Sequence, residues 1–402
     1  MGTVADLTVG ALLYRVTRHT ISALWIEPSK RRDHVAIGSV AAVLPKVEEL
    51  HDELRDSMSV ARGRLPRLRE FASGWGRDLL PQSVLESPPD ILVIVPHGFI
   101  HDIPLHLVAR NDDAEPLGCA SGVTYVSSQS LFARCVARNR ARCRQFGELI
   151  LPEQASPLNS SNSSLGRRLA GGGVDVLGGQ HEKFSQIPEL VAELIAKPSN
   201  LLNYDALTRS AVKNLLRDHP DILFLVAHGY VNPANHELSG LMLPEPNIAG
   251  FTSVQKRALV QQGELLFAFR DLPFAWAPPR MRSALHAELL TAAELEIDVN
   301  VETELVVLLA CSAGYGRVVA GDKPASIAET MLRAGAASVL APAWDSDYES
   351  ARDWILAFFR SWIEYGYPKA IAFKHAMQRI RDLHGDTQPG RLGALTLRGD
   401  WL

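Results

Sequence analysis

Three apolar runs in this sequence of 402 residues end on side chains that can do chemistry. ILVIVPHG carries His97 and Gly98 after its run, ILFLVAHG carries His228 and Gly229, and LVVLLACSAG carries Cys311 with Gly314 close behind. A short run apolar on both faces is the pattern of a strand buried in a parallel sheet, and reactive groups in open α/β folds gather just beyond the carboxyl ends of such strands. There a thiol can act as nucleophile, an imidazole can carry its proton, and glycine lets backbone amides approach an oxyanion closely. His228 and Cys311 therefore form a candidate pair for acyl-transfer chemistry. The residues alone also admit a plainer reading, with Cys311 a small buried hydrophobe and His228 a structural histidine. Distance along the chain does not separate the two, because neighbouring parallel strands always need a long crossover.

Positioning those ends requires a sheet, and the apolar pattern predicts one. Short runs at 91–95, 123–126, 148–151, 222–227, 305–310 and 337–341 alternate with amphipathic stretches, the signature of a mostly parallel α/β sheet flanked by helices. Helices are predicted over 185–196, 208–219 and 325–335, the last stopping at Gly335, and over DYESARDWILAFFRSWIEYG and PKAIAFKHAMQRIRDL. Trp354, Phe358, Phe359 and Trp362 form an aromatic stripe that reads as core packing. Residues 1–90 read as largely helical after an initial strand pair, from Val43, Val47, Leu50, Leu54 and Met58 at helical spacing. The Ser-, Asn- and Gly-rich stretch 153–173 reads as a linker between two halves, and 244–282 as a long insertion of the kind that often carries function.

Charge and motif content exclude several classes of function. A net charge of -4 provides no broad basic field, so neither nucleic acid nor a membrane surface is an expected partner. The arginines of ARCVARNRARCR are expected on the solvated side of a helix. Cys119, Cys135, Cys143 and Cys311 include no C-x-x-C pair, which argues against a zinc site or a disulfide framework and fits a reducing, cytoplasmic setting. No apolar run approaches the roughly 18–20 residues of a membrane span, and MGTVADLTVGALLY lacks the basic region of a secretory leader. GRVVAGDK fails as a phosphate loop, since Asp322 interrupts the required Gly-Lys and Pro324 replaces Ser or Thr. There is no G-x-S-x-G elbow, and His97, His101 and His106 lack a metal-ligand pattern, so no cofactor and no metal is expected.

Taken in order, the motifs resemble a known family. ILVIVPHGFIHDIPLHLV, ILFLVAHG, the SGLML after it, LTAAELE, LVVLLACSAGYG and IAETMLRAGAASVLAPAWDSD are together similar to the CHAT peptidases, relatives of caspases and separase, over residues 40–383. The resemblance implies one caspase-like α/β peptidase unit with a degenerate N-terminal half in 1–150, a linker in 151–173 and a catalytic half in 174–402 interrupted by the 244–282 insertion. It implies Cys311 as nucleophile, His228 as general base and acid, and the backbone amides of Gly229 and Cys311 as oxyanion donors. PHGFIHDIP corresponds to a segment that forms a structural turn in the family. Leu309 stands where the family commonly has Ser, and Ala313 and Ala227 stand where it has Thr. These departures remove no reacting atom but alter the hydrogen bonding around the pair.

The implied activity is cleavage of a protein substrate. Family members often act in prokaryotic defence, where a triggered protease cuts a partner such as a gasdermin-like pore former, and an activating partner protein is expected here as well. The resemblance also implies that the loop after ASVLAPAW helps to build the pocket for the P1 side chain, where Asp345 and Asp347 would pair with arginine, as an acid does in separase, which is similar to this chain at AWD. The alternative is that these acids cap the helix starting near Tyr348 and leave an apolar pocket. Two rival functions stand beside the peptidase: a non-catalytic CHAT interaction or scaffold module, and an acyl-transfer enzyme using the same pair.

Overall fold

The computed structural model describes residues 7–55, 65–110, 115–145, 174–177, parts of 187–194, 199–202, parts of 213–216, 221–226, 228–230, 239–242, 289–298, 300–309, 313–314, 318–319, 323–324, 326–344, 348–385 and 389–402. Three antiparallel strands open it: β1 (Val9–Val16), β2 (Thr20–Ile26) and β3 (Arg32–Ser39). Alternate side chains face the core, with Leu12 and Tyr14 of β1 and Ile21, Ala23 and Trp25 of β2 buried. α1 (Val40–Arg55) and α2 (Pro66–Ser73) follow, with Val47 and Leu50 of the expected helical stripe buried. The expectation of a helical segment after two strands is therefore corrected by a third strand. β3 alternates only between half-buried and exposed positions, so its charged residues conceal the period from a sequence reading.

Apart from short helical turns, the other elements are β4 (Ile91–Val95), β5 (Gly122–Tyr125), α3 (Gln129–Gln145), β6 (Val174–Leu177), β7 (Ser199–Leu202), β8 (Ile222–Val226), β9 (His228–Tyr230), β10 (Gly240–Met242), β11 (Leu289–Thr291), α4 (Ala292–Asp298), β12 (Leu305–Leu309), β13 (Val318–Val319), β14 (Lys323–Pro324), α5 (Ile327–Ala334), β15 (Ser338–Pro342), α6 (Tyr348–Phe359), α7 (Lys369–His384) and β16 (Leu395–Gly399). The expected runs at 91–95, 123–126, 222–227, 305–310 and 337–341 all contain strands. β6, β7 and β16 were not expected. The run at 148–151, the linker at 153–173 and the insertion at 244–282 lie outside the described residues.

Eleven strands form one sheet in the order β3-β2-β1-β4-β5-β16-β15-β12-β8-β6-β7. β1, β4, β5 and β16 run parallel to one another. β15, β12, β8, β6 and β7 are also mutually parallel, but β15 runs antiparallel to β16. Beyond the antiparallel β2 and β3 at one end, the sheet is thus two parallel arrays pointing in opposite directions, joined through β16. It follows that β4 and β8 exit at opposite edges, and so do the His-Gly pairs that come after them.

Helices α6 and α7 cover one face. Trp354, Phe358, Phe359 and Trp362 are buried, as the aromatic stripe requires. Phe359 stacks on Phe224 of β8 with ring centroids 5.6 Å apart, and Trp354 meets Phe373 of α7 edge-on at 5.3 Å. Such pairs contribute about 0.5–1.5 kcal/mol each beyond the area they bury. On α5, Ser326 caps the first turn by accepting from the Glu329 amide, and Gly335 ends the helix with φ +135, a value that side-chain-bearing residues rarely adopt. Among the described residues no helix is long and apolar enough to cross a membrane.

The joint between the arrays is narrow. β5 and β16 share a single backbone pair, Tyr125 with Arg398, while β16 pairs with β15 along five residues. Side chains reinforce the joint. The Thr124 hydroxyl donates to the Gly399 carbonyl at 3.0 Å. His106 lies fully buried between Tyr125 and Gly393: its Nε2 donates to the Gly393 carbonyl at 3.1 Å, and its Nδ1 accepts from the Tyr125 hydroxyl at 2.9 Å. Those two bonds are satisfied by a neutral imidazole, and burial lowers its pKa to about 4, against the opposing pull of the Gly393 bond.

This burial has a consequence for stability. As pH falls below the ordinary histidine value of 6.5, the unfolded chain takes up a proton that the folded protein refuses until about 4. The His106 contribution is therefore complete above pH 6.5 and declines between 6.5 and 4, by about 3 kcal/mol in all. Urea unfolding measured across that window should show a steeper loss of stability with acid in the wild type than in His106→Gln; equal slopes would contradict the assignment.

Candidate active site

β8 and β12 are neighbours, parallel and in register, from Ile222 opposite Leu305 to Val226 opposite Leu309. Both are apolar on both faces and buried, so a slip would expose nothing useful and would break the packing of each layer. The two strands consequently end level with each other at one edge. After Val226 the chain leaves the large sheet and enters a three-stranded sheet, β11-β10-β9, in which His228 pairs with Met242, Gly229 with Leu241 and Tyr230 with Gly240. The SGLML segment supplies β10, and LTAAELE supplies β11 and the start of α4. That helix start is a capping box: the Glu294 amide donates to the Thr291 hydroxyl oxygen, and the Glu294 carboxylate accepts from the Thr291 amide at 3.1 Å.

The stretch that follows β12 is braced from three sides. The Ala313 carbonyl accepts from the Ala328 amide at 3.1 Å, and the Gly314 amide donates to the Pro342 carbonyl at 2.8 Å. The Gly314 carbonyl accepts from Nη2 of Arg398 at 2.8 Å. Gly314 lies so close to β15 that a Cβ would stand 2.9 Å from the Pro342 oxygen. Its missing side chain thus serves contact with β15, where its amide is engaged.

Arg398 is buried, and burial lowers its pKa from the usual value, with Glu329, Tyr125 and Asp102 acting in the opposite sense. The Glu329 carboxylate in turn accepts from the Ser127 hydroxyl. Neither Arg398 nor this chain of contacts was singled out in the sequence. The available signal was an arginine inside LTLRG, a stretch whose five residues are all buried.

Cys311, Asp345, Asp347 and the side chain of His228 lie outside the described residues. The described backbone approaches each of them. His228 and Gly229 begin β9, Cys311 follows β12 by two residues, and Asp345 follows Trp344, which is buried with its Nε1 donating to the Gly390 carbonyl at 2.9 Å. β15 is parallel to β12 and ends at the same edge, so the acids come after a strand that exits beside β12. His97 has a different environment. Its Nδ1 accepts from the Val16 amide at 3.2 Å, tying the turn after β4 to β1. Among the described residues no group of three or more His, Cys, Asp or Glu side chains is arranged to hold a metal ion.

Comparison with known proteins agrees with this architecture. The family profile described as the CHAT domain matches residues 76–392. Separase from Saccharomyces cerevisiae, in its complex with securin, superposes with a TM-score of 0.55 at 11% identity, covering 98% of this chain and 30% of the separase chain. A second structure of that complex gives 0.53 with the same identity and coverage. The Arg-specific cysteine proteinase gingipain R (RgpB) of Porphyromonas gingivalis aligns at 10% identity over 83% of this chain and 67% of its own, with a TM-score of 0.46. The separase likeness is one of fold, a caspase-like α/β arrangement in which a mostly parallel sheet is flanked by helices. A search of curated proteins gives no match.

The bracing of Gly314 is open to test. Gly314→Ala places a methyl group against the Pro342 carbonyl, so either β15 or the loop must shift. The urea unfolding midpoint should fall by an amount corresponding to about 1–3 kcal/mol. An unchanged midpoint would mean that the loop is not held in this way.

Proposed function

The chain belongs to the CHAT domain family, and from that premise we propose that it is a cysteine endopeptidase whose catalytic dyad is Cys311 and His228. The observation that supports this most is the register of β8 with β12: His228 comes two residues after Val226, and Cys311 two residues after its partner Leu309. In this reading His228 draws the proton from the thiol, and the Cys311 sulfur attacks the scissile carbonyl carbon. The oxyanion is received by the backbone amides of Gly229 and Cys311. His228 then gives its proton to the leaving amine, the C–N bond breaks, and a thioester holds the acyl half of the substrate. A water that loses its proton to His228 attacks the thioester, releasing the acid and restoring the thiol.

The substrate in this reading is a protein segment. A gasdermin-like pore former, cut in a prokaryotic defence response after a signal from an activating partner chain, is the candidate that the family resemblance supplies. For the P1 residue the proposal is arginine, received by Asp345 or Asp347. Bidentate pairing with a guanidinium would satisfy such a carboxylate, whereas an apolar P1 side chain would leave it unpaired, at about 1–3 kcal/mol.

A peptide acyloxymethyl ketone should label Cys311 and spare Cys119 and Cys135, both of which are buried. Termini profiling should find substrate cuts with the wild type that disappear with Cys311→Ser. His228→Ala should lose about three orders of magnitude or more of activity, and the double variant little beyond that, because the two residues act as a unit. Near-wild-type cleavage by Cys311→Ser would remove the dyad.

A P1-varied peptide library gives a separate result. Preference for Arg that weakens with Asp345→Ala or Asp347→Ala is expected. Preference for Leu or Met, or an Arg preference that both substitutions leave intact, would assign these acids to capping the helix at Tyr348 instead.

A further inference from the structure

Strand β3 forms one edge of the large sheet: β2 lies on one flank, and no described strand lies on the other. The direction of its backbone groups follows from the turn before it. The Glu27 amide donates to the Arg31 carbonyl at 2.9 Å, which makes these two a hydrogen-bonded pair. From there the register sets Ile26 opposite Arg32, Trp25 opposite Asp33, Leu24 opposite His34, Ala23 opposite Val35 and Ser22 opposite Ala36. Antiparallel pairs alternate between those that exchange bonds and those that do not. Asp33 and Val35 therefore turn their amides and carbonyls to β2, while Arg32, His34 and Ala36 turn theirs outward.

The side chains separate by face. Asp33 and Val35 lie opposite the buried Trp25 and Ala23, on the core face, where Val35 and Ile37 are only partly buried against the core. Arg32, His34 and Ala36 are on the other face and exposed. Arg15 of β1, opposite Ser22 and so in line with Ala36, is exposed on that face too. Asp33, the acid of the strand, points to the core face and is engaged by Arg31 at 3.0 Å. The edge thus offers unpaired backbone groups, an incompletely covered apolar side and a basic side. Exposed charge on an edge strand discourages pairing with like strands. Two copies of β3 would set their basic faces side by side, whereas an acidic strand would be attracted.

We infer that β3 is a docking edge for an extended acidic segment of a partner protein, which adds to the sheet as an antiparallel strand. Its carboxylates would stand opposite Arg32 and His34 on the exposed face, and its alternate apolar side chains would cover Val35 and Ile37 on the core face. The inference does not depend on the endopeptidase reading, since β3 stands at the end of the sheet remote from β12 and β8.

The test is fluorescence anisotropy on the full chain with a fluorescein-labelled peptide of alternating glutamate and valine, EVEVEVE. It should bind saturably, more weakly as salt is raised, and slow amide hydrogen exchange over residues 32–36. In an antiparallel pair the glutamates opposite Arg32 and His34 exchange bonds with β3, so N-methylation of the glutamate amides should abolish binding and N-methylation of the valine amides should spare it. EEEEVVV, of nearly the same composition without the alternation, and the basic KVKVKVK should bind at least tenfold more weakly. Arg32→Glu with His34→Glu should weaken EVEVEVE about tenfold. Both positions are exposed, so the unfolding temperature should stay unchanged. No binding at millimolar peptide would overturn the inference and leave the charges as a guard on the edge. Equal binding of EEEEVVV or of the glutamate-methylated peptide would overturn it in favour of charge attraction without strand pairing. A dimer in sedimentation that these substitutions abolish would overturn it by assigning the edge to a second copy of the chain.

Discussion

The pairing of β8 with β12 is the constraint on which the site depends. Both strands are buried on both faces, and their register places Val226 beside Leu309 at the same edge of the sheet. Parallel neighbours need a crossover, and here the crossover contains the small β9–β11 sheet and α4. The strand ends are therefore held together by the large sheet even though β9–β11 and α4 come between them in sequence. Chemistry that needs a residue from each end can be built only where such a register is enforced, and close-packed layers above and below enforce it.

A second constraint is direction. Two parallel arrays that point opposite ways can share a sheet only through an antiparallel contact, and β16 with β15 provides it. The other flank of β16 meets β5 through one backbone pair, so side chains carry much of that joint: Thr124 to Gly399, and His106 between Tyr125 and Gly393. Polar groups this deeply buried must be satisfied, because the low dielectric that strengthens their hydrogen bonds also penalises any that is left unmade. The neutral His106 meets that requirement in full, whereas Arg398 meets it at Nη2 and leaves its Nε without a hydrogen-bond partner. One gives up its charge, and the other keeps it among groups that favour it.

Much of the scaffold was legible in the residues. The runs at 91–95 and 305–310 coincide with β4 and β12 almost to the residue, Gly335 stops α5, and the Trp354 to Trp362 stripe is core. What escaped were β3, whose period is blurred by exposed charges, β6 and β7, which are four residues each, and β16, where an arginine interrupts the apolar pattern. The close approach of Gly314 to the Pro342 carbonyl, which leaves no room for a side chain, was also not legible in the sequence.

The sequence by itself determined the identity and limits of most core strands and helices, the burial of the aromatic stripe and the choice of Cys311 and His228 as residues worth pairing. These follow from periodicity, from glycine at helix stops and from side-chain chemistry, all of which act within a few residues of the chain. Only the tertiary structure decided the strand order, the reversal of direction between the two arrays, the insertion of β16 at their joint and the contact of Arg398 with Gly314. The physical reason is that strand pairing is set by the packing of the whole sheet. A strand's own residues state that it will be buried, but its neighbours are chosen by which arrangement buries every layer at once.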